Sequence, residues 1–309
     1  MTFGGIEAGG SKFVCAIGGS DGRILIRSTI PTTTPEETIA AVASFFRAST
    51  VKEPLAGVGL AAFGPVDLQR NSPTYGHVTS TPKKAWQHCD LVGMIADVMG
   101  VADVAFDTDV NCAALAEYMY GAGRGYDPLV YMTLGTGIGG GAVIHGRILH
   151  GLVHPEMGHL RIRRAADDDF PGCCPAHGDC FEGLASGKAI NERWGVPARE
   201  LPQSHPGWQL ETHYVALGLA DIIVTLSPRR IVIGGGLRRR LLWPVLFDEV
   251  RQLLNGYVRA REVTDLISNY IVQPALGDDP GVIGAIALAV RAAAAATAPS
   301  ASTFTRTGT

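Results

Sequence analysis

Residues 129–151 read LVYMTLGTGIGGGAVIHGRILHG. An apolar run leads into a glycine-dense turn, a second apolar run, a short turn at His145 and Gly146, and a third run. Short apolar runs broken by glycine predict strands, so this stretch spells strand, turn, strand, turn, strand. The chain opens in the same way, with FGGIEAGGSK, FVCAIG and DGRILIRSTI following one another between residues 3 and 30. GGSKFVCAIGGSDGRIL at 9–25 and TGIGGGAVIHGRIL at 136–149 repeat one supersecondary unit without strong identity. A fold built twice is the direct implication.

The segments around the two units fit that implication. PEETIAAVASFFRAS predicts an amphipathic helix with Pro35 and two acids in its first turn. LAGVGLAAFG predicts a buried strand, LVGMIADVMG a helix, VADVAFDTD a short strand, and NCAALAEYMYGAG a helix closed by glycine. After the second unit come a helix in ETHYVALGLADIIVTLS, a strand in RRIVIGGGL, a helix in LLWPVLFDEVRQLLNGY and a final helix in DPGVIGAIALAVRAAAAA. Two αβ lobes facing each other across a cleft are expected. The small lobe is assigned to 1–112 with a returning helix at 281–296, the large lobe to 113–280, and a Ser/Thr-rich disordered tail to 297–309.

Composition narrows the function classes. The chain has 309 residues, 46% hydrophobic and 18% charged, which is enough to bury a sizeable core. A net charge of -3 gives no basic field for a phosphate backbone, so nucleic acid is not an expected partner. MTFGGIEAGGSKF lacks the basic and apolar regions of a secretion signal, and the apolar run GVIGAIALAV is stopped by Arg291 before it is long enough for a bilayer. A cytoplasmic protein without a membrane partner is expected. In that reducing setting, Cys15, Cys89 and Cys112 are expected to be small buried hydrophobes.

Three loops have the glycine content that lets backbone N–H groups approach a phosphate chain: Gly9-Gly10-Ser11-Lys12, Gly135 to Gly141, and Gly234-Gly235-Gly236. None has the spacing of a P-loop, and none is a GxGxxG motif opening a helix. TLGTGIGGG carries the strongest signal, because five glycines in seven residues exceed what a hairpin turn requires.

Taken in order, EAGGSK, DTDVNCAALAE, TLGTGIGGG, HPEMGH, CPAHGDCFEGLASG and IVIGGGL resemble the ROK family of sugar kinases over roughly residues 3–291. AAFGPVDL and STPKKAW, with HPEMGH and the cysteine cluster, are most similar to its zinc-containing bacterial fructokinases. The resemblance implies a duplicated ribonuclease-H-like α/β fold of the actin and hexokinase type, and transfer of a phosphoryl group from ATP to a hexose. It implies that Gly9, Gly10, Ser11 and Lys12 form the first phosphate loop and that Thr133, Gly135, Thr136 and Gly137 belong to the second. It also implies that Gly235 and Gly236 border the adenosine, with Gly187 and Lys188 opening a helix beside the nucleotide. The first loop departs from the family pattern in having Glu7 for Asp and Ser11 for Thr. Glu7 would still serve Mg²⁺ through water.

Phosphoryl transfer to a hydroxyl asks for positioning, charge neutralisation and an acceptor for the proton. Asp107 and Asp109 stand where a strand is expected to meet a helix start, a place that favours carboxylates and also suits plain N-caps. The resemblance selects Asp109, two residues before Asn111, as the general base. It gives Asn111 a hydrogen bond to the sugar or to the loop supporting it, and puts Gly64, Glu156 and Glu182 in the sugar pocket.

CCPAHGDCFE at 173–182 packs three of the six cysteines around one histidine. Cys174, His177 and Cys180 have the spacing of zinc ligands on a tight loop, and a tetrahedral site needs a fourth. His159 is the first choice, because residues 161–172 can loop out and return, and the family has a zinc-ligating histidine there. His154 is the alternative. A Cys173–Cys180 disulfide and a catalytic thiol were the competing readings of the cluster. His159 would bind zinc through one ring nitrogen and a sugar hydroxyl through the other. Fructose is the expected substrate, with glucose, mannose and N-acetylmannosamine open, and a homodimer is expected from the family. A sugar-sensing repressor would carry a helix-turn-helix ahead of the first loop, and an actin-type scaffold would not need Asp109, the two glutamates and the zinc ligands together.

Overall fold

The computed structural model describes residues 1–49, 53–81 and 83–297. The expected tail beyond Thr297, and Pro82 within STPKKAW, lie outside the described residues. The first unit runs β1 (Thr2–Ala8), β2 (Lys12–Gly19), β3 (Ile24–Pro31), α1 (Pro35–Ala48), β4 (Val58–Ala62), α2 (Leu91–Met99), β5 (Ala105–Thr108) and α3 (Asp109–Tyr120). The second runs β6 (Leu129–Leu134), β7 (Ile138–Ile144), β8 (Arg147–Ile148), α4 (Phe181–Ala185), α5 (Gly187–Trp194), α6 (Gly207–Leu226), β9 (Arg230–Gly234), α7 (Trp243–Leu254), α8 (Arg261–Thr264), α9 (Ile267–Tyr270) and β10 (Ile271–Val272). The chain then returns as α10 (Pro280–Thr297).

The duplication is visible in the sheets. One has the order β3-β2-β1-β4-β5 and the other, read from its opposite edge, β8-β7-β6-β9-β10. In both, the first three strands form an antiparallel meander and the last two join in parallel. Each sheet has its own core. One gathers Ile6, Phe13, Leu60, Trp86 and Ile95, and the other Met132, Phe181, Trp208, Tyr214 and Ile233.

Helices α3 and α10 fill the space between the sheets, and both are apolar because protein covers them on more than one side. In α10, Pro280 through Ala287 are all buried; in α3, Asn111 through Glu117 are. The expected lobe boundary after residue 112 therefore falls inside a continuous helix. Contact here is backbone to backbone. A Cβ at Gly59 on β4 would land on the Ala285 carbonyl of α10, and one at Gly284 would land on the Cys112 carbonyl of α3. A Cβ at Gly141 on β7 would come within 2.6 Å of the Val110 carbonyl.

Glu117 closes the far end of this stack. It is fully buried, and its carboxylate accepts from the backbone N–H of Ala122 at 2.6 Å, Ala275 at 3.2 Å and Leu276 at 3.0 Å. One side chain on α3 thus fixes both its own C-terminal turn and the segment that leads into α10. Glu117→Ala removes the shared acceptor of three part-buried N–H groups and leaves a gap in a fully buried position, and is expected to destabilise the fold by about 3 kcal/mol, read from the urea midpoint. Glu117→Gln keeps the shape and one acceptor oxygen, and its loss is expected to be smaller.

Candidate functional site

The N-terminus of α3 points at the cleft. Thr108 is its N-cap, with Oγ1 accepting from the Asn111 N–H at 3.2 Å. Neither aspartate is therefore a cap. Asp107 sits at the end of β5, 3% exposed. Its Oδ1 accepts from the Thr108 N–H at 2.8 Å and the Asn111 amide Nδ2 at 2.7 Å. Asp109 is the first helical residue, and its Oδ1 accepts from the Val110 N–H at 2.8 Å. Burial pushes its carboxyl up to about 6, Glu156 adds to the rise, and the backbone N–H groups pull against it.

Three adjoining cavities surround this helix start. The middle one, about 410 Å³, is walled by Asp109, Glu7, Lys12, Thr133, Gly235 and Gly236, with Arg238, Arg239 and Asp278 at its side. On one flank, about 560 Å³ is enclosed by Asp109 again together with Gly64, Gly137, Glu156, His159 and Glu182. On the other, about 720 Å³ lies among Gly135, Thr136, Gly187, Lys188 and Gly236. Asp109 is shared by the first two, and Gly236 links the middle one to the largest.

Each glycine loop is held by specific bonds. Gly9, Gly10 and Ser11 make the turn from β1 to β2, closed by Gly9 N–H to the Lys12 carbonyl at 3.0 Å and Thr32 Oγ1 to the Gly9 carbonyl at 2.7 Å. Of these four residues, Lys12 is the one that walls a cavity. In the second loop, the carbonyls of Gly135 and Thr136 accept from the Gly187 and Lys188 N–H groups at the start of α5. Those two helix N–H groups are thus used within the protein, and Gly187 and Lys188 meet the large cavity with their edges. Gly235 has φ 78°, and a Cβ there would strike the Leu134 carbonyl. Gly235→Ala is expected to lower stability by about 2 kcal/mol or more in a thermal melt, because φ is wrong for alanine and the neighbouring strand cannot move aside.

Glu7, half-buried on β1, is raised to about 7 by burial first and by Asp109 second, against the pull of Lys12 and the Val282 N–H of α10. Two carboxyls in one cavity with raised pKa values are a setting that favours a cation. Across the cavity of about 560 Å³, Glu182 in the first turn of α4 accepts from the Ile138 N–H at 3.0 Å. Glu156 faces the His154 ring at 3.3 Å.

His159, Cys174, His177 and Cys180 bring one ligand atom each within 4.8 Å of all the others. His159 Nδ1 stands 3.4 Å from Cys180 Sγ and 3.7 Å from Cys174 Sγ, and His177 Nδ1 is 3.7 Å from Cys174 Sγ. Those are the edges of a tetrahedron with bonds of about 2.0 to 2.3 Å, so the donor set fits zinc. A hairpin shapes the cluster, with Cys174 and Gly178 exchanging both backbone bonds and Gly178 at φ 65°. All six cysteines are free, and Cys173 lies outside the cluster with its Sγ 3.9 Å from Ser186 Oγ. His154, the alternative ligand, is engaged with Glu156.

Asn111 is fully buried, walls none of the three cavities among the described residues, and spends its amide on Asp107. It supports the strand–helix junction. Sequence reasoning also missed Arg238, Arg239 and Asp278. Arg238 and Arg239 both bond to Asp278 beside the middle cavity. The run LRRR after the third glycine loop was the available signal.

A duplicated α/β fold with a central carboxylate between glycine-lined cavities defines the actin and hexokinase class of two-lobed proteins. The chain belongs to the ROK family, whose model matches residues 3–292. It is 43% identical over 299 residues to a fructokinase of Zymomonas mobilis, covering 94% of this chain and 97% of that one. A fructokinase of Pediococcus pentosaceus is 38% identical over 290 residues, at 94% and 98% coverage. Among solved structures, the ROK hexokinase of Thermus thermophilus superposes with a TM-score of 0.78 at 26% identity, over 96% of this chain and all of that one.

Proposed function

We propose that this chain is an ATP-dependent hexokinase that phosphorylates D-fructose at its 6-hydroxyl, with Asp109 as general base. The observation that carries the reading is that Asp109 walls both the middle cavity and the cavity bearing Glu156, His159 and Glu182. A group at that wall meets both partners of a phosphoryl transfer. The choice of fructose rests on the fructokinases to which the chain is similar.

The roles follow from chemistry. Glu156 and Glu182 accept hydrogen bonds from sugar hydroxyls, as carboxylates do well. His159 turns Nδ1 to the cysteines and leaves Nε2 for a hydroxyl. Asp109 accepts the proton of the attacking hydroxyl. Lys12, Arg238 and Arg239 supply positive charge beside the phosphates. Adenosine takes the large cavity between α5 and Gly236. Glu7 is the residue placed to serve Mg²⁺, which when bound neutralises charge on the β- and γ-phosphates. His159, Cys174, His177 and Cys180 would hold Zn²⁺ as a closed structural site that fixes the sugar-binding turn. A homodimer and a cytoplasmic setting complete the reading and rest on the resemblance alone.

An ADP-release assay over a panel of hexoses tests the proposal, with fructose expected to give the highest kcat/KM; equal rates on glucose would remove the fructose assignment. Asp109→Asn is expected to lower kcat by about 10³-fold while sugar and ATP affinities stay within about twofold. Loss of binding comparable to the loss of rate would count against the role. Because the base must be ionised, kcat/KM for the wild type is expected to fall as pH drops through about 6.

Metal analysis is expected to find one zinc per chain. Cys180→Ser and His177→Ala are expected to lose it and to raise KM for the sugar more than KM for ATP.

A further inference from the structure

The segment between β8 and the turn carrying Glu156 and His159 leaves its own sheet and touches the other lobe at two points. His150 Nε2 lies 2.9 Å from Asp107 Oδ2, and the Leu152 carbonyl accepts from Gln69 Nε2 at 2.9 Å. Asp107 therefore gathers three donors: Thr108 N–H, the Asn111 amide and the His150 ring. Its side chain is 4% exposed, whereas that of His150 is 42% exposed. A buried carboxylate that loses one of its donors bears much of that group's desolvation cost, so the bond is a strong constraint. His150 itself lines a separate cavity of about 440 Å³, which shares Pro65, His154 and Glu156 with the sugar-side cavity.

We infer that His150 is a positioning residue for the hexose: its bond to Asp107 sets the strand–helix junction that presents Asp109 against the segment that presents Glu156. The inference rests on the kinase reading above for its effect on turnover, and on the interlobe bond alone for its effect on mobility. Asp107 holds His150 protonated to higher pH than a free histidine, with partial burial opposing it. Other titratable groups around the ring are committed elsewhere. Asp67, across the cavity, accepts from Gln69 N–H and Thr74 Oγ1, and His154 is paired with Glu156. As pH rises through the pKa of His150, above its ordinary 6.5, the charge-assisted bond becomes a neutral one and weakens.

His150→Ala and His150→Gln test the inference in the full chain. The alanine variant is expected to lower kcat/KM for the hexose about tenfold while KM for ATP holds. The glutamine variant restores an uncharged donor and is expected to recover most of that loss. The wild type is expected to lose hexose kcat/KM as pH rises through the His150 pKa, above 6.5, and the glutamine variant to lack that decline. Hydrogen exchange without ligands is expected to quicken about tenfold over 108–112 and 149–154 in His150→Ala, with the rest of the molecule unchanged. Wild-type kcat/KM in the alanine variant, or unchanged exchange in both segments, overturns the inference. A wild-type enzyme inert toward every hexose overturns the kinase reading, and exchange then decides the interlobe link by itself.

Discussion

The close backbone approach of α10 to the first sheet, of α3 to α10, and of the second sheet to α3 is the constraint on which the rest of the molecule depends. Gly59, Gly284 and Gly141 stand at the three contacts, and any side chain there would meet a carbonyl oxygen. Without side chains as spacers, the two helices cannot slide or rotate freely between the sheets. Their N-termini then converge. The Glu7 carboxyl lies against Gly281 at the start of α10, and Asp109 begins α3; both face the same cavity. Helix starts carry partial positive charge, so this end of the stack suits carboxylates and would suit the phosphates of the proposed nucleotide.

Two opposed effects set the chemistry of that place. The helix start and its N–H groups favour an ionised Asp109, whereas burial and Glu156 disfavour it. Burial wins, and the carboxyl is raised to about 6. A base so tuned binds a proton better than a free carboxylate and is still ionised at neutral pH. Glu7 is raised further, to about 7, by burial first and by the repulsion of Asp109 across the shared cavity second. Lys12 on the same wall partly offsets the repulsion.

The architecture was legible in the sequence because its signals are local. Each half is a glycine turn between apolar runs, and glycine-separated strands leave few pairings other than a meander. The two sheets match strand for strand. What sequence reasoning lacked were the elements of two to five residues, such as β10, α4, α8 and α9, which are too short to show a period and form only against the finished core. At the site, residues with a family motif were legible, whereas those recruited through tertiary contact were not. Asp278 reaches Arg238 and Arg239 across about forty residues of chain. Asn111 stands in a motif, but its burial and its bond to Asp107 emerge only in the folded junction.

The cysteine cluster belongs to the same mechanical unit as the second glycine loop. Cys180 is the N-cap residue of α4, and Glu182 in its first turn accepts from the Ile138 N–H at the loop's end. Phe181 N–H bonds to the Leu160 carbonyl, next to His159, and the Gly187 N–H that opens α5 bonds to the Gly135 carbonyl. A cation gripping His159, Cys174, His177 and Cys180 would therefore tighten two segments at once, the turn that carries Glu156 and His159 and the second glycine loop. Burial and the neighbouring Cys174 push the Cys180 thiol up to about 11, which leaves it protonated at neutral pH unless a cation stabilises the thiolate. The loop thus owes its shape to the backbone hairpin, and an ion that neutralised those sulfurs would add stiffness, which is how a cluster remote from the proposed phosphoryl transfer would bear on the proposed sugar pocket.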